Sequence, residues 1–193
     1  MKRFVGIACA LALAGCAGLA PAASRQASGW AGAWGASPTI PPSGGKSFEN
    51  QTVRQVVRLS TGGTAVRIRF TNEYGDKPLE IGAATVAIAG ADGKPTGEFR
   101  TLTFGNAPSV TIPAGAPLLS DPVTLDVKAL ESLSISIFLP TATGPCTCHF
   151  AGTATAYISG PGNFTQATFE PASTFTNRAF ISGVEITRPD PRT

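Results

Sequence analysis

The sequence holds one histidine, His149, so any serine–histidine–carboxylate relay would have to pass through it. His149 closes the cluster Cys146-Thr147-Cys148-His149. Read as a metal site, these ligands crowd too closely for tetrahedral coordination, and no second ligand cluster accompanies them. Read as redox chemistry, the two thiols could cycle. Read structurally, Cys146 and Cys148 form a local disulfide in an oxidising compartment, or stay as two free thiols in a tight loop. So small a ring would be strained and reducible. No Gly-x-Ser-x-Gly elbow is present. Asp and Glu total only 12, and no two stand out as an acid–base pair. Gly160-Pro161-Gly162 lacks the helix and lysine that a phosphate loop needs. The expectation is therefore no metal, no cofactor and no catalytic residue.

Arg54, Arg58, Arg67 and Arg69 make the second cluster. If they share the outward side of adjoining strands, their like charges repel unless something compensates. Glu73, Glu80, solvent or a packed neighbouring domain would suffice. The sharper reading is a bound anion or sugar, because guanidinium forks match carboxylates. Trp30 and Trp34, with Tyr74 and Tyr157, would supply faces for sugar stacking, or serve as plain core and edge packing. Arg54, Arg58, Arg67, Arg69, Trp30 and Trp34 are thus the candidate ligand-binding residues.

The elements that must carry these groups are strands. Val53, Gln55, Val57 and Leu59 alternate with Arg54, Val56 and Arg58. After Gly62-Gly63, Val66, Ile68 and Phe70 alternate with Arg67 and Arg69. Two period-two runs around a glycine pair predict a hairpin. Residues 79–89 read as one strand with a bulge at Gly82, followed by a turn at Ala91-Asp92-Gly93-Lys94. Short strands are predicted at 99–104, 109–112, 123–127, 133–139, 153–159 and 179–186, with one helical turn at 128–132. About nine short strands punctuated by 22 Gly and 16 Pro predict an all-β, antiparallel sandwich or jelly roll in a single domain over 30–188.

The first residues read as an address. Lys2 and Arg3 precede an apolar run over 4–13, the pattern of a secretory leader spanning 1–23. Leu13-Ala14-Gly15-Cys16 resembles the bacterial lipobox, which makes Cys16 the lipidation site and a lipid anchor the only membrane contact. Ordinary cleavage after Ala22 or Ala23 is the alternative. An uncleaved helix is disfavoured by Gly15, Gly18 and Pro21. Residues 24–29 read as a tether and 189–193 as a tail. The formal charge is +3, but Lys2 and Arg3 fall in the leader, so the remainder is close to neutral. A near-neutral surface has no general attraction for phosphates, which argues against nucleic acid as a partner.

Several stretches resemble a known family when taken together. They are Trp30-Ala-Gly-Ala-Trp34-Gly-Ala-Ser37-Pro38, Asn50-Gln-Thr-Val-Arg54-Gln-Val-Val-Arg58-Leu-Ser, and Val66-Arg-Ile-Arg-Phe70-Thr-Asn72-Glu-Tyr-Gly75. Thr103-Phe-Gly105, Ser109 through Pro122, and Ile181-Ser-Gly-Val184 follow in order. Their arrangement resembles the N-terminal β-sandwich ahead of the catalytic domain in secreted bacterial GDSL/SGNH-type acylhydrolases. The family's Gly-Asp-Ser, oxyanion and Asp-x-x-His blocks are missing, and Cys146 stands where that Asp would precede His149. No catalytic residue carries over. The resemblance implies a non-catalytic accessory module, exported to the periplasm or outer membrane or secreted, that binds a glycan or acylated polymer. Its alternative is the split or truncated part of an esterase that needs a separate SGNH catalytic domain.

Overall fold

The computed structural model describes residues 29–90, 93–150 and 152–187. The leader with Cys16, residues 24–28 of the tether, Ala91-Asp92 of the turn, and the tail lie outside the described residues. Among those described there are fifteen strands and no helix. In chain order they begin with β1 (Trp30–Gly35), β2 (Gln51–Arg58), β3 (Gly63–Thr71), β4 (Leu79–Ile81) and β5 (Ala83–Ala89). Next come β6 (Pro95–Thr101), β7 (Val110–Ile112), β8 (Pro117–Leu119), β9 (Val123–Val127) and β10 (Ser132–Leu139). The last are β11 (Cys148–His149), β12 (Ala156–Pro161), β13 (Ser173–Phe175), β14 (Arg178–Ala179) and β15 (Ile181–Thr187).

Two antiparallel sheets dominate. One runs β1-β15-β3, with β8 and β9 sharing the free edge of β3; the other runs β13-β12-β2-β10-β5-β6. Period-two alternation gives each an apolar face. Val66, Ile68 and Phe70 of β3, with Val184 and Ile186 of β15, meet Val53 and Val57 of β2 and Leu133, Ile135, Ile137 and Leu139 of β10 in one buried cluster. The molecule is thus all-β, with a sandwich-like core, as the alternation predicts. Each fully buried side chain of this size contributes about 1.5–3 kcal/mol of transfer free energy.

The expected β2–β3 hairpin does not form. β2 pairs with β10 and β12, whereas β3 pairs with β15, β8 and β9. The Gly62-Gly63 connection instead crosses from one sheet to the other. Its glycines are needed for close approach rather than for a turn. A Cβ on Gly62 would lie 2.5 Å from the Val127 carbonyl oxygen, and one on Gly63 would overlap the Thr187 carbonyl oxygen.

Residues 79–89 likewise divide at Gly82. β4 pairs with β7, while β5 continues between β10 and β6, so Gly82 marks a change of sheet rather than a bulge. The strand expected at 99–104 is displaced to β6, ending at Thr101. Residues 128–132 make a turn closed by Glu131 N–H to the Lys128 carbonyl, with Leu130 at φ 64°, instead of a helical turn.

Candidate functional site

The strand swap separates the arginine cluster. Arg54 and Arg58 lie on one sheet, Arg67 and Arg69 on the other. The four do not form a common patch, and the like-charge repulsion expected across a hairpin does not arise. Arg67 donates from Nε to Glu185 Oε2 at 2.7 Å, and its guanidinium stacks on the Trp30 ring at 4.3 Å. Arg69 forks onto Glu73, Nη1 to Oε2 at 3.0 Å and Nη2 to Oε1 at 3.1 Å, and also donates to Ser182 Oγ. Both arginines, and the face of Trp30, are therefore engaged within the protein.

The Glu73 carboxyl is held below its ordinary value chiefly by the hydrogen bond from Arg69, with help from Thr71. Asp121 is lowered too, first by the Asn106 N–H, then by the Thr103 hydroxyl and the Gly105 N–H. It clamps that turn at 2.7–3.0 Å. Carboxyls with lowered folded-state pKa values add stability above their unfolded values and lose it as pH falls through the folded ones. Urea midpoints should therefore fall as pH drops below 4.5 for Glu73 and 3.8 for Asp121. The double variant Glu73→Gln/Asp121→Asn should show a shallower fall; an unchanged slope would refute the assignment.

Arg54 faces outward from β2 yet is only 4% exposed. Residues 162–171 fold over this end of the sheet. Thr85 Oγ1 donates to the Thr165 carbonyl at 2.7 Å, and Phe164 N–H donates to Thr52 Oγ1 at 2.8 Å. Arg54 donates from Nε to Ser136 Oγ at 2.7 Å, and from Nη2 to the carbonyls of Phe164 and Ala167 at 3.0 and 2.8 Å. Its guanidinium lies 4.7 Å from the Phe169 ring centroid and 5.4 Å from that of Phe99. Desolvation lowers its pKa to about 10.

Arg58 and Trp34 do come together. They line a groove of about 330 Å³ with His149, Arg178 and Thr153. β11 and β14 place His149 and Arg178 directly opposite each other, so both side chains emerge on one face. Arg178 is 4% exposed, and burial lowers its pKa. Its guanidinium donates to the backbone carbonyls of Asn177 and Ala154. His149 Nδ1 lies 2.9 Å from the Ser37 carbonyl oxygen. A carbonyl only accepts, so Nδ1 carries a proton. Arg58 is exposed, its Nε held by the Leu130 carbonyl at 3.1 Å. Among the described residues no Asp or Glu lines the groove.

Cys146 and Cys148 are joined by a disulfide, with Cα atoms 5.4 Å apart. The segment is pinned as well by Cys146 N–H to the Lys46 carbonyl, Thr39 N–H to the Cys148 carbonyl and Phe180 N–H to the Thr147 carbonyl. These bonds set β11, and with it His149, at the rim of the groove. Among the described residues no group of three or more His, Cys, Asp or Glu side chains is placed to hold a metal ion.

No family model matches the chain, and no curated protein matches it either. The groove thus stands on its own geometry: two guanidiniums, an imidazole and an indole, with no opposing carboxylate among the described residues. That arrangement can bind and orient an anion beside a flat apolar ring. Arg178 was not singled out from sequence. It sits in the polar run Thr176-Asn177-Arg178, and only its cross-strand pairing with His149 brings it here.

Proposed function

We propose that this chain is a non-catalytic accessory module of an exported envelope protein and binds an acid-bearing glycan. It would resemble the sandwich domain that precedes the catalytic domain of GDSL/SGNH-type acylhydrolases, with Cys16 as its lipid anchor. The observation that carries the binding reading is the groove of Trp34, Arg58, His149 and Arg178, cationic and without an acidic residue among its described lining. Guanidinium forks pair with carboxylates, and an indole face suits the apolar side of a sugar ring. The family resemblance and the leader pattern in the sequence support the cellular setting.

Affinity electrophoresis through gels containing polygalacturonate or a neutral glycan tests the reading. Polygalacturonate should retard the protein, and the neutral glycan should retard it much less. Arg58→Ala should weaken the acidic interaction about ten-fold, as the loss of one charged contact at an exposed site predicts. Equal mobility of the wild type and this variant in polygalacturonate would sink the glycan reading. Turnover of p-nitrophenyl esters by the chain, lost on changing a single serine, would overturn the non-catalytic half.

A further inference from the structure

We propose that the pocket above Arg54 is a second binding site, for a monocarboxylate carried on a body about the size of one ring. It lies on the outer face of β2 and does not depend on the groove at Arg58.

The guanidinium is the starting point. Nε is taken by the Ser136 hydroxyl, and Nη2 by the two carbonyls of the 162–171 segment. These three bonds leave Nη1 as the end of the fork they do not hold, and Arg54 lines the pocket. Every one of these partners is neutral. Among the described residues its partners are neutral oxygens and ring faces, so this buried cation has hydrogen bonds but no counter-charge to offset its desolvation, in line with its lowered pKa. A carboxylate brought to Nη1 would relieve that cost with a charge-assisted hydrogen bond.

The walls define the rest of the ligand. Tyr157, Phe169, Pro95 and Pro171 present stiff, largely apolar surfaces, and Lys94 adds a second cationic residue to the lining. The pocket encloses about 230 Å³. An apolar cavity of about 150 Å³ admits benzene, and drug-sized ligands need roughly 300 Å³ or more, so a single-ring acid fits the range between. A neutral ring could fill the space but would bring Arg54 no counter-charge. Among the described lining residues one opposes an anion: Glu170, which is exposed.

Benzoate and its neutral isostere benzamide are the probes, followed by nitrogen-15 NMR titration of the whole protein. Benzoate should bind in about the millimolar range, as one charged contact plus partial ring burial allows. It should shift the Arg54 Nε–H and the residues around Phe169. Benzamide should bind at least about ten-fold more weakly, a difference of one charge-assisted bond. Arg54 is part of the fold, so the informative variant is Glu170→Gln, which should tighten benzoate about two-fold by removing a like charge at an exposed site. Equal affinities for benzoate and benzamide, shifts that miss Arg54, or no response to Glu170→Gln would each overturn the proposal. Arg58→Ala should leave benzoate affinity unchanged, so a failed glycan experiment and a failed benzoate experiment are told apart.

Discussion

Gln55→Leu is expected to destabilise the protein by about 4 kcal/mol, because it leaves two buried backbone groups without partners at roughly 1–3 kcal/mol each and removes their bonds. Gln55 points into the core between Val53 and Val57 and is fully buried. Its amide bonds both polar groups of one residue on the facing layer: Nε2 donates to the Ala179 carbonyl at 2.8 Å, and Oε1 accepts the Ala179 N–H at 2.7 Å. The side chain acts as one rung of a ladder where, among the described residues, β14 has no strand on that side. Leucine matches the volume and the apolar surroundings, so a transfer argument alone would predict a gain. The magnitudes decide otherwise. Transfer of one polar amide out of the core returns less than the cost of stranding a donor and an acceptor together. The thermal midpoint should fall by about 10 °C for a chain of this size. Gln55→Glu should do no better, since a carboxylate keeps the acceptor, loses the donor and buries a charge. A Gln55→Leu midpoint within about 3 °C of wild type would show that Ala179 finds other partners.

Gln55 also marks how far the sequence could be read. Alternation places it on the inward face of β2, and the same rule assigns Leu133, Ile135, Ile137 and Leu139 of β10 to the interior, where all four are found. Alternation states which face a side chain takes but is silent on which strand lies alongside. A glycine pair between two such runs fits both a hairpin and a crossing between sheets, because both need backbone free of Cβ. The deciding contacts, with Val127 and Thr187, come from chain far removed in sequence. Gly82 carries the same ambiguity between a bulge and a change of sheet.

The candidate site was legible to the same degree. Trp34 and Arg58 were visible as residue types suited to an acidic sugar, and the groove holds both. Arg67, Arg69 and Trp30 were equally suitable by type. Glu185 and Glu73 take the two arginines, and Arg67 covers the indole. Of these acids only Glu73 is near enough in sequence to be seen as a partner. Arg178 gave no local signal at all, since its place depends on β14 meeting β11.

Arg54 is the residue on which local and tertiary information conflict most, and replacing it with methionine gives the second large effect. By position it is an outward side chain on a sheet, where substitutions normally shift stability by about 0.5 kcal/mol or less. The covering segment 162–171 changes that. Two opposing terms follow from methionine. Relief of desolvation is worth on the order of 3 kcal/mol, from a pKa lowered by burial to about 10 on a group 4% exposed. Against it stand three hydrogen bonds from a charged donor, at about 1.5–3 kcal/mol each, and two cation–π stacks at about 0.5–2 kcal/mol each. The bonds outweigh the relief, so Arg54→Met should cost about 3 kcal/mol even though methionine keeps most of the packing between Phe99 and Phe169. The loss should be local as well as global. The Phe164 and Ala167 carbonyls lose their anchor, while Thr52 and Thr85 still hold Phe164 and Thr165. Amide exchange should therefore quicken most around Ala167 and least in β10. Destabilisation below about 1 kcal/mol, or exchange that quickens uniformly, would mean the covering segment is held by its threonines alone and Arg54 is spare cationic charge beneath it.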